Sequence, residues 1–282
     1  MNFRTEIEVA AQMPFSISHD DRIVLLGSCF TDSIGSRLDD DGFTTTHNPM
    51  GPLYNPASIA RVVKRDVPYS LDDLYRDETG LYHCMDFASR YSYTDADKLL
   101  SIINTCRAEL QQRIDEASVV IITFGTARVY DFVPGGYVAG NCHRLPSALF
   151  NERLLTIDRI VDEWLPIVKS LNKKVIFTLS PIRYTADGLA RNSLSKSILR
   201  VAIERLCTES QAVYFPAFEI MNDDLRDYRF YADDLKHPTA MAVEYIYQYF
   251  ERTFFSDATQ AHAAKCHRET MRKRHIPDIH KL

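Results

Sequence analysis

No stretch of this 282-residue sequence is apolar over anything near the ~18 residues that a membrane-crossing helix requires, which argues against such a span. Positive charge is not in excess: 33 Lys and Arg face 38 Asp and Glu, for a formal net charge of −5. That excludes the global basic field that draws in nucleic acid or an anionic membrane surface. The opening segment, "MNFRTEIEVAAQMPF", lacks the apolar core of a secretory signal, so the expected compartment is the cytoplasm. The six cysteines (Cys29, Cys84, Cys106, Cys142, Cys207 and Cys266) contain no C-x-x-C pair. This argues against a zinc ribbon and a disulfide framework. There is no internal repeat and no low-complexity tract. The basic tail, "KCHRETMRKRHIPDIHK", has no interleaved aromatics and fits a solvated helix end, not a nucleic-acid surface.

What is present is a 45% hydrophobic composition, enough for one full core. Short apolar runs alternate with helical periodicity. Arg22–Leu26, "ASVVIITFG", "KKVIFTLSP" and "AVYFPAFEIM" read as buried strands. Helices are expected over Thr31–Leu38, Pro56–Arg65 with Asn55 as cap, Asp95–Glu116, Asn151–Leu171, Leu189–Ser210, Pro238–Phe255 and Asp257–Arg274. Leu81–Tyr93 reads as extended, and "RVYDFVPGGYVAG" as a hairpin. Strands alternating with helices predict an α/β protein, a three-layer α/β/α sandwich with a mostly parallel sheet. The expected organisation is one α/β domain over 1–256 and a charged C-terminal helix and tail over 257–282.

In such sheets the site lies beyond the carboxyl ends of the strands. Three segments stand there: Ser28-Cys29 after the first strand, Gly125-Thr126 after the second, and Ser180 after the third. Near the C-terminus, "YADDLKHP" places Asp234 and His237 three apart, a spacing that lets a carboxylate orient an imidazole as general base. A cysteine at a helix start feels the positive end of the dipole, an environment expected to lower a thiol pKa.

"LLGSCFT" and "DDLKHP" resemble the first and last blocks of the SGNH, or GDSL, hydrolases. Aligned on the strand and its glycine, Ser28 takes the position of the family's aspartate and Cys29 that of its serine nucleophile. A wider set of segments is similar to the GSCFA-domain family: "NFRTEI", "GSCFTDSIG", "HNPMGPLYNP", "FGTARVYDF", "GNCHRLP", "SPIRYTADGLARNSLSK" and "YFPAFEIMNDDLRDYRFYADDLKHP". These cover roughly 2–255. Thr31 replaces the signature's final alanine, and Arg128 stands where an aromatic residue is expected; both suggest a changed pocket.

The resemblance implies a flavodoxin-like, SGNH-type fold. It also implies an esterase or acyltransferase acting through a covalent acyl-enzyme on a small-molecule, carbohydrate or lipid acyl ester or thioester. Cys29, activated by His237 and Asp234, is one nucleophile; Ser28, as in a serine esterase, is the other. A non-catalytic binding module of the same fold is the third reading, because the family's third-block asparagine is missing from "GTA", Gly125–Ala127. Oxyanion donors expected from the pattern are the Cys29 amide, Gly51 and Gly125, with Asn141 or Thr126 in place of the asparagine. Arg183 is a candidate contact for an anionic group. His143, beside Cys142, is either a substrate contact or, with His237, part of a metal set whose further ligands are lacking. No cofactor and no metal are expected.

Overall fold

The computed structural model describes residues 5–8, 13–186 and 188–275. The end of the expected tail, 276–282, and parts of the N-terminal segment lie outside the described residues. At the centre are five parallel strands: β1 (Arg22–Gly27), β2 (Thr44–His47), β6 (Val119–Phe124), β10 (Lys174–Leu179) and β11 (Val213–Phe215). Between them run the short strands β3 (Leu74–Arg76), β4 (Tyr82–Cys84), β5 (Ser92–Tyr93), β7 (Arg128–Phe132), β8 (Tyr137–Val138) and β9 (Phe150–Leu154). The helices are α1 (Cys29–Asp40), α2 (Pro56–Lys64), α3 (Ala96–Glu116), α4 (Ile157–Leu171), α5 (Leu189–Thr208), the single turn α6 (Ala217–Glu219), α7 (Ala240–Phe254) and α8 (Asp257–His275).

The spatial order is β11-β10-β6-β1-β2. In chain order within the sheet this is 2-1-3-4-5, the doubly wound order of flavodoxin-like folds. Strands covered on both faces need apolar side chains on both, and β1 and β6 are buried nearly throughout. Helices α2 to α5 cover one face, over Trp164, Phe124 and Phe177, whose rings pack at 5.2–5.8 Å. Helices α1 and α7 cover the other, over Phe215, Tyr247, Phe250 and Phe254. The result is the three-layer α/β/α sandwich. Among the described residues no helix is long and apolar enough to cross a membrane.

Several elements differ from expectation. Strand β2 was not expected, because "TTTH" is a polar, half-buried edge strand with no apolar run. Asn151–Leu171 is not one helix. Its first residues extend as β9 against β7, where Arg153 pairs with Asp131 across the strands. The helix starts only at Ile157, after Thr156 caps it by accepting from the Arg159 amide. The fourth expected strand stops at Phe215, and the chain then winds into α6 and a wide π-type turn over Ile220–Leu225. Helix α7 begins at Ala240, capped by Thr239, while Pro238 pairs as a bridge with Tyr231. Two antiparallel patches, β3-β4-β5 and β8-β7-β9, flank the main sheet, and the expected hairpin is the β7–β8 part of the second.

Candidate active site

The winding of the sheet reverses between β1 and β6, so a crevice opens at their carboxyl ends. Gly27 ends β1 there with φ +142°, and a Cβ on it would lie 2.1 Å from the Thr123 carbonyl oxygen of β6. Only glycine fits that approach. Asn48 then holds the turn from the other side. Its Oδ1 accepts from the Gly27 amide at 2.9 Å, and its Nδ2 donates to the Ser28 carbonyl at 3.3 Å and to Asp32 at 3.0 Å. Ser28 is the N-cap residue and Cys29 the first residue of α1, two positions earlier than sequence periodicity suggests.

Cys29 Sγ lies 3.3 Å from His237 Nε2. His237 Nδ1 lies 2.5 Å from Asp234 Oδ2. The other oxygen of Asp234 accepts the backbone amides of Lys236 at 2.9 Å and His237 at 3.0 Å. One carboxylate thus fixes both the loop and the ring. Those amide and ring hydrogen bonds hold the Asp234 carboxyl well below the usual carboxylate range. With Nδ1–H given to Asp234, Nε2 presents its lone pair to the sulfur.

Ser28 is placed differently. It is 1% exposed, and its hydroxyl donates to Ser180 Oγ at 2.9 Å. His237 therefore reaches Cys29 and not Ser28.

The expected lowering of the Cys29 thiol pKa is not found. Burial pushes it up, and Asp32 in the first turn of α1 adds to that; the amides of Cys29 and Phe30 and the Tyr54 hydroxyl oppose it. The helix end acts in the expected direction but is outweighed by desolvation.

Cys29, His237 and Ser28 line a cavity of about 370 Å³ with mostly apolar walls, among them Tyr130, Ile182 and Tyr184. Gly125, Thr126, Asn141 and Arg183 line it too. Two of these expected donors are already engaged. The amides of Gly125 and Thr126 both donate to the Tyr54 carbonyl at 2.8 Å. The Thr126 hydroxyl pairs with Ser195 Oγ at 3.0 Å. Asn141 uses its Oδ1 to accept from Ser89 and from the His143 amide, leaving its Nδ2 without a partner among the described residues. Arg183 stacks on Tyr231, 4.4 Å from the ring centroid.

Two expected site residues are not brought to the cavity. Gly51 lies outside its lining. Its amide donates to the Asn48 carbonyl, and its φ of +87° and close approach to Ala88 explain the glycine. His143 is buried, with Nε2 bonded to the Cys84 carbonyl at 2.9 Å and Nδ1 near Ser92 at 3.3 Å. Burial lowers its pKa to about 4. Its ring is committed to the fold, so a Cys142–His143–His237 metal set does not form. Thr31 also lies outside the cavity, buried under the sheet with its hydroxyl unpartnered. Arg128 does line it, where it pairs with Glu152.

Three contributors were not anticipated as site residues. Asn55, read only as a helix cap, lines the cavity; its Oδ1 accepts from the Ser58 amide, and its Nδ2 has no partner among the described residues. Tyr54 brings its hydroxyl to the Cys29 sulfur, and burial, with Cys29 and Asp32 beside it, pushes its pKa up to about 12. Lys196 of α5 is 3% exposed, donates to the Ser180 carbonyl at 2.7 Å, and feels the charge of Cys29. A lysine inside a helix of ordinary periodicity gives no sequence signal of this. For Asn55, the signal was its nearness to "HNPMGP", the loop after β2.

The fold and site define an α/β protein with a cysteine, a histidine and an aspartate in line at the carboxyl edge of a parallel sheet. The model of the GSCFA family matches residues 22–250, and the chain belongs to that family. A comparison with curated proteins finds no match.

Proposed function

We propose that this protein is an SGNH-like enzyme of acyl chemistry that works through an acyl-thioester on Cys29. The observation that carries this reading is the line Cys29 Sγ–His237 Nε2 at 3.3 Å and His237 Nδ1–Asp234 at 2.5 Å, opening into a mostly apolar cavity. In the first half-reaction the Cys29 S–H proton passes to His237 Nε2 as the sulfur attacks the acyl carbonyl. The oxyanion meets the Cys29 amide, with the Nδ2 groups of Asn55 and Asn141 as side-chain donors. Collapse breaks the bond to the leaving group, which departs with the proton from His237. In the second half-reaction water, an alcohol or an amine gives its proton to His237 and attacks the thioester carbonyl. The sulfur leaves and takes that proton back. Because burial disfavours a resting thiolate, His237 is a base acting during attack, not one half of a permanent ion pair. The cavity volume and the apolar walls suit the acyl part of a small-molecule, carbohydrate or lipid ester or thioester.

The test is alkylation of Cys29 by iodoacetamide against pH, read by peptide mass spectrometry in wild type, His237→Ala and Asp234→Asn. The expected result is that removing the base slows Cys29 labelling by about 10²-fold or more at neutral pH, and that Asp234→Asn slows it in the same direction. Labelling unaffected by His237→Ala overturns the reading. Ester cleavage lost in Ser28→Ala but kept in Cys29→Ala replaces it with a serine esterase. Ligand binding with no turnover of any acyl donor replaces it with a binding module.

A further inference from the structure

We infer that His19, His262 and Cys266 form a zinc-binding site that fastens the C-terminal helix to the α/β core. A ligand atom of each residue lies within 4.8 Å of the others. His262 and Cys266 are four apart on α8, so their side chains share one face of the helix. His19 comes from the loop before β1. Its Nε2 lies 2.9 Å from the Asp41 carbonyl oxygen. A carbonyl can only accept, so Nε2 carries the proton and Nδ1 keeps a lone pair. This is the supporting arrangement typical of metal-bound histidines, with one ring nitrogen donating to a backbone carbonyl and the other free to ligate. Ring stacking on Phe43, at 4.0 Å between centroids, holds His19 in place, and His262 meets it edge-on at 4.4 Å. Gly42 makes room for the sulfur: a Cβ there would lie 2.8 Å from Cys266 Sγ.

Two imidazoles and one thiol are the donor set of zinc and not of magnesium or calcium, which take oxygen ligands. Around tetrahedral zinc the ligand atoms stand ~3.3–3.7 Å apart, from bond lengths of about 2.0–2.3 Å. Rotation of His262, whose side chain is exposed, closes the remaining gap, and water completes the shell. Zinc displaces the Cys266 thiol proton, which passes to solvent.

The site also meets a need of the fold. Among the described side chains of α8 only Thr259 and Ala263 are buried, so little apolar surface holds the helix. Arg274 pairs with Asp40 from an exposed position, where such a pair contributes little, and the ring of His267 meets the buried carboxylate of Asp41. His267 is committed to Asp41 and Arg37 and is not a ligand.

The experiment is titration of the chelator-treated full chain with Zn²⁺ against a competing chromogenic chelator. It is repeated for His262→Gln, Cys266→Ser and Cys29→Ala, with circular dichroism on each. The expected result is one zinc per chain, with Co²⁺ in its place giving a thiolate-to-cobalt charge-transfer band. His262→Gln and Cys266→Ser weaken binding beyond the ~10–100-fold lost when only a supporting group is removed. Cys29→Ala leaves it unchanged. Zinc raises the melting temperature of wild type but not of the two ligand variants. His262 is exposed, so its variant keeps the fold and reads out the site even where Cys266→Ser does not. Absence of zinc binding, equal affinity in His262→Gln, or loss of binding in Cys29→Ala instead, overturns the inference.

Discussion

At the scale of single residues, the chemistry rests on which hydroxyl or thiol the histidine reaches. Ser28 and Cys29 are neighbours in sequence, yet the N-cap geometry of α1 sends the serine into the interior toward Ser180 and leaves the cysteine facing His237. Thr31, two residues on, is an exception to the rule that buried polar groups find partners. Thr31 lines a small, mostly apolar space with Phe30, Ile34 and Phe250. An unpartnered buried hydroxyl costs about 1–3 kcal/mol. Thr31→Val keeps the volume and the branch, so it is expected to stabilise the protein by about 1 kcal/mol in denaturant unfolding, with Cys29 labelling unchanged. A loss of stability would mean that the hydroxyl is satisfied after all.

At the scale of elements, the loop after β2 matters more than its polar sequence suggests. Asn48 adopts a left-handed backbone, φ 41°, and its amide joins the end of β1 to the start of α1. Asn48→Ala orphans the buried Gly27 amide and is expected to cost about 2–3 kcal/mol. Labelling of Cys29 should slow as well, because the turn that aims the sulfur loosens. An unchanged unfolding midpoint would show that the turn holds itself.

The same loop shows the limits of sequence reading. The strand ends and the Asp234–His237 spacing were legible because each is local and because parallel sheets put their sites at one edge. Strand β2 was not, since an edge strand need not be apolar. Nor was β9: "FNERL" has no helix breaker before Thr156, and only its pairing with β7 makes it extended. The oxyanion donors are hidden from the sequence for a related reason. Whether the amides of Gly51, Gly125 and Thr126 are free depends on carbonyls far away in sequence or across a turn, and both the Asn48 and Tyr54 carbonyls claim them.

At the scale of the whole molecule, the sheet and α5 together bury a lysine behind the site. Desolvation lowers the pKa of Lys196 from 10.5 to about 7, with the charge of Cys29 opposing the shift. Between those values the unfolded chain binds a proton that the folded chain does not, so this group makes stability rise with pH from about 7 to 10.5. Lys196→Met removes that slope. The variant should gain most over wild type at pH 7 and below, and the gain should vanish near pH 10, as read by denaturant midpoints at each pH. Cys29 labelling in the same variant should slow at pH 7 and below, where Lys196 carries its charge and favours the thiolate, and should match wild type well above pH 7. A gain that is constant with pH would mean that Lys196 titrates alike in the folded and the unfolded chain.

The most direct measurement is intact-mass and peptide mapping of the protein after brief exposure to activated acyl esters and thioesters, in wild type, Cys29→Ala and Ser28→Ala. The expected result is a single acyl adduct on Cys29, labile to hydroxylamine, present in Ser28→Ala and absent in Cys29→Ala together with turnover. Full turnover in Cys29→Ala, with no adduct on that residue in wild type, would contradict a cysteine nucleophile at the end of β1.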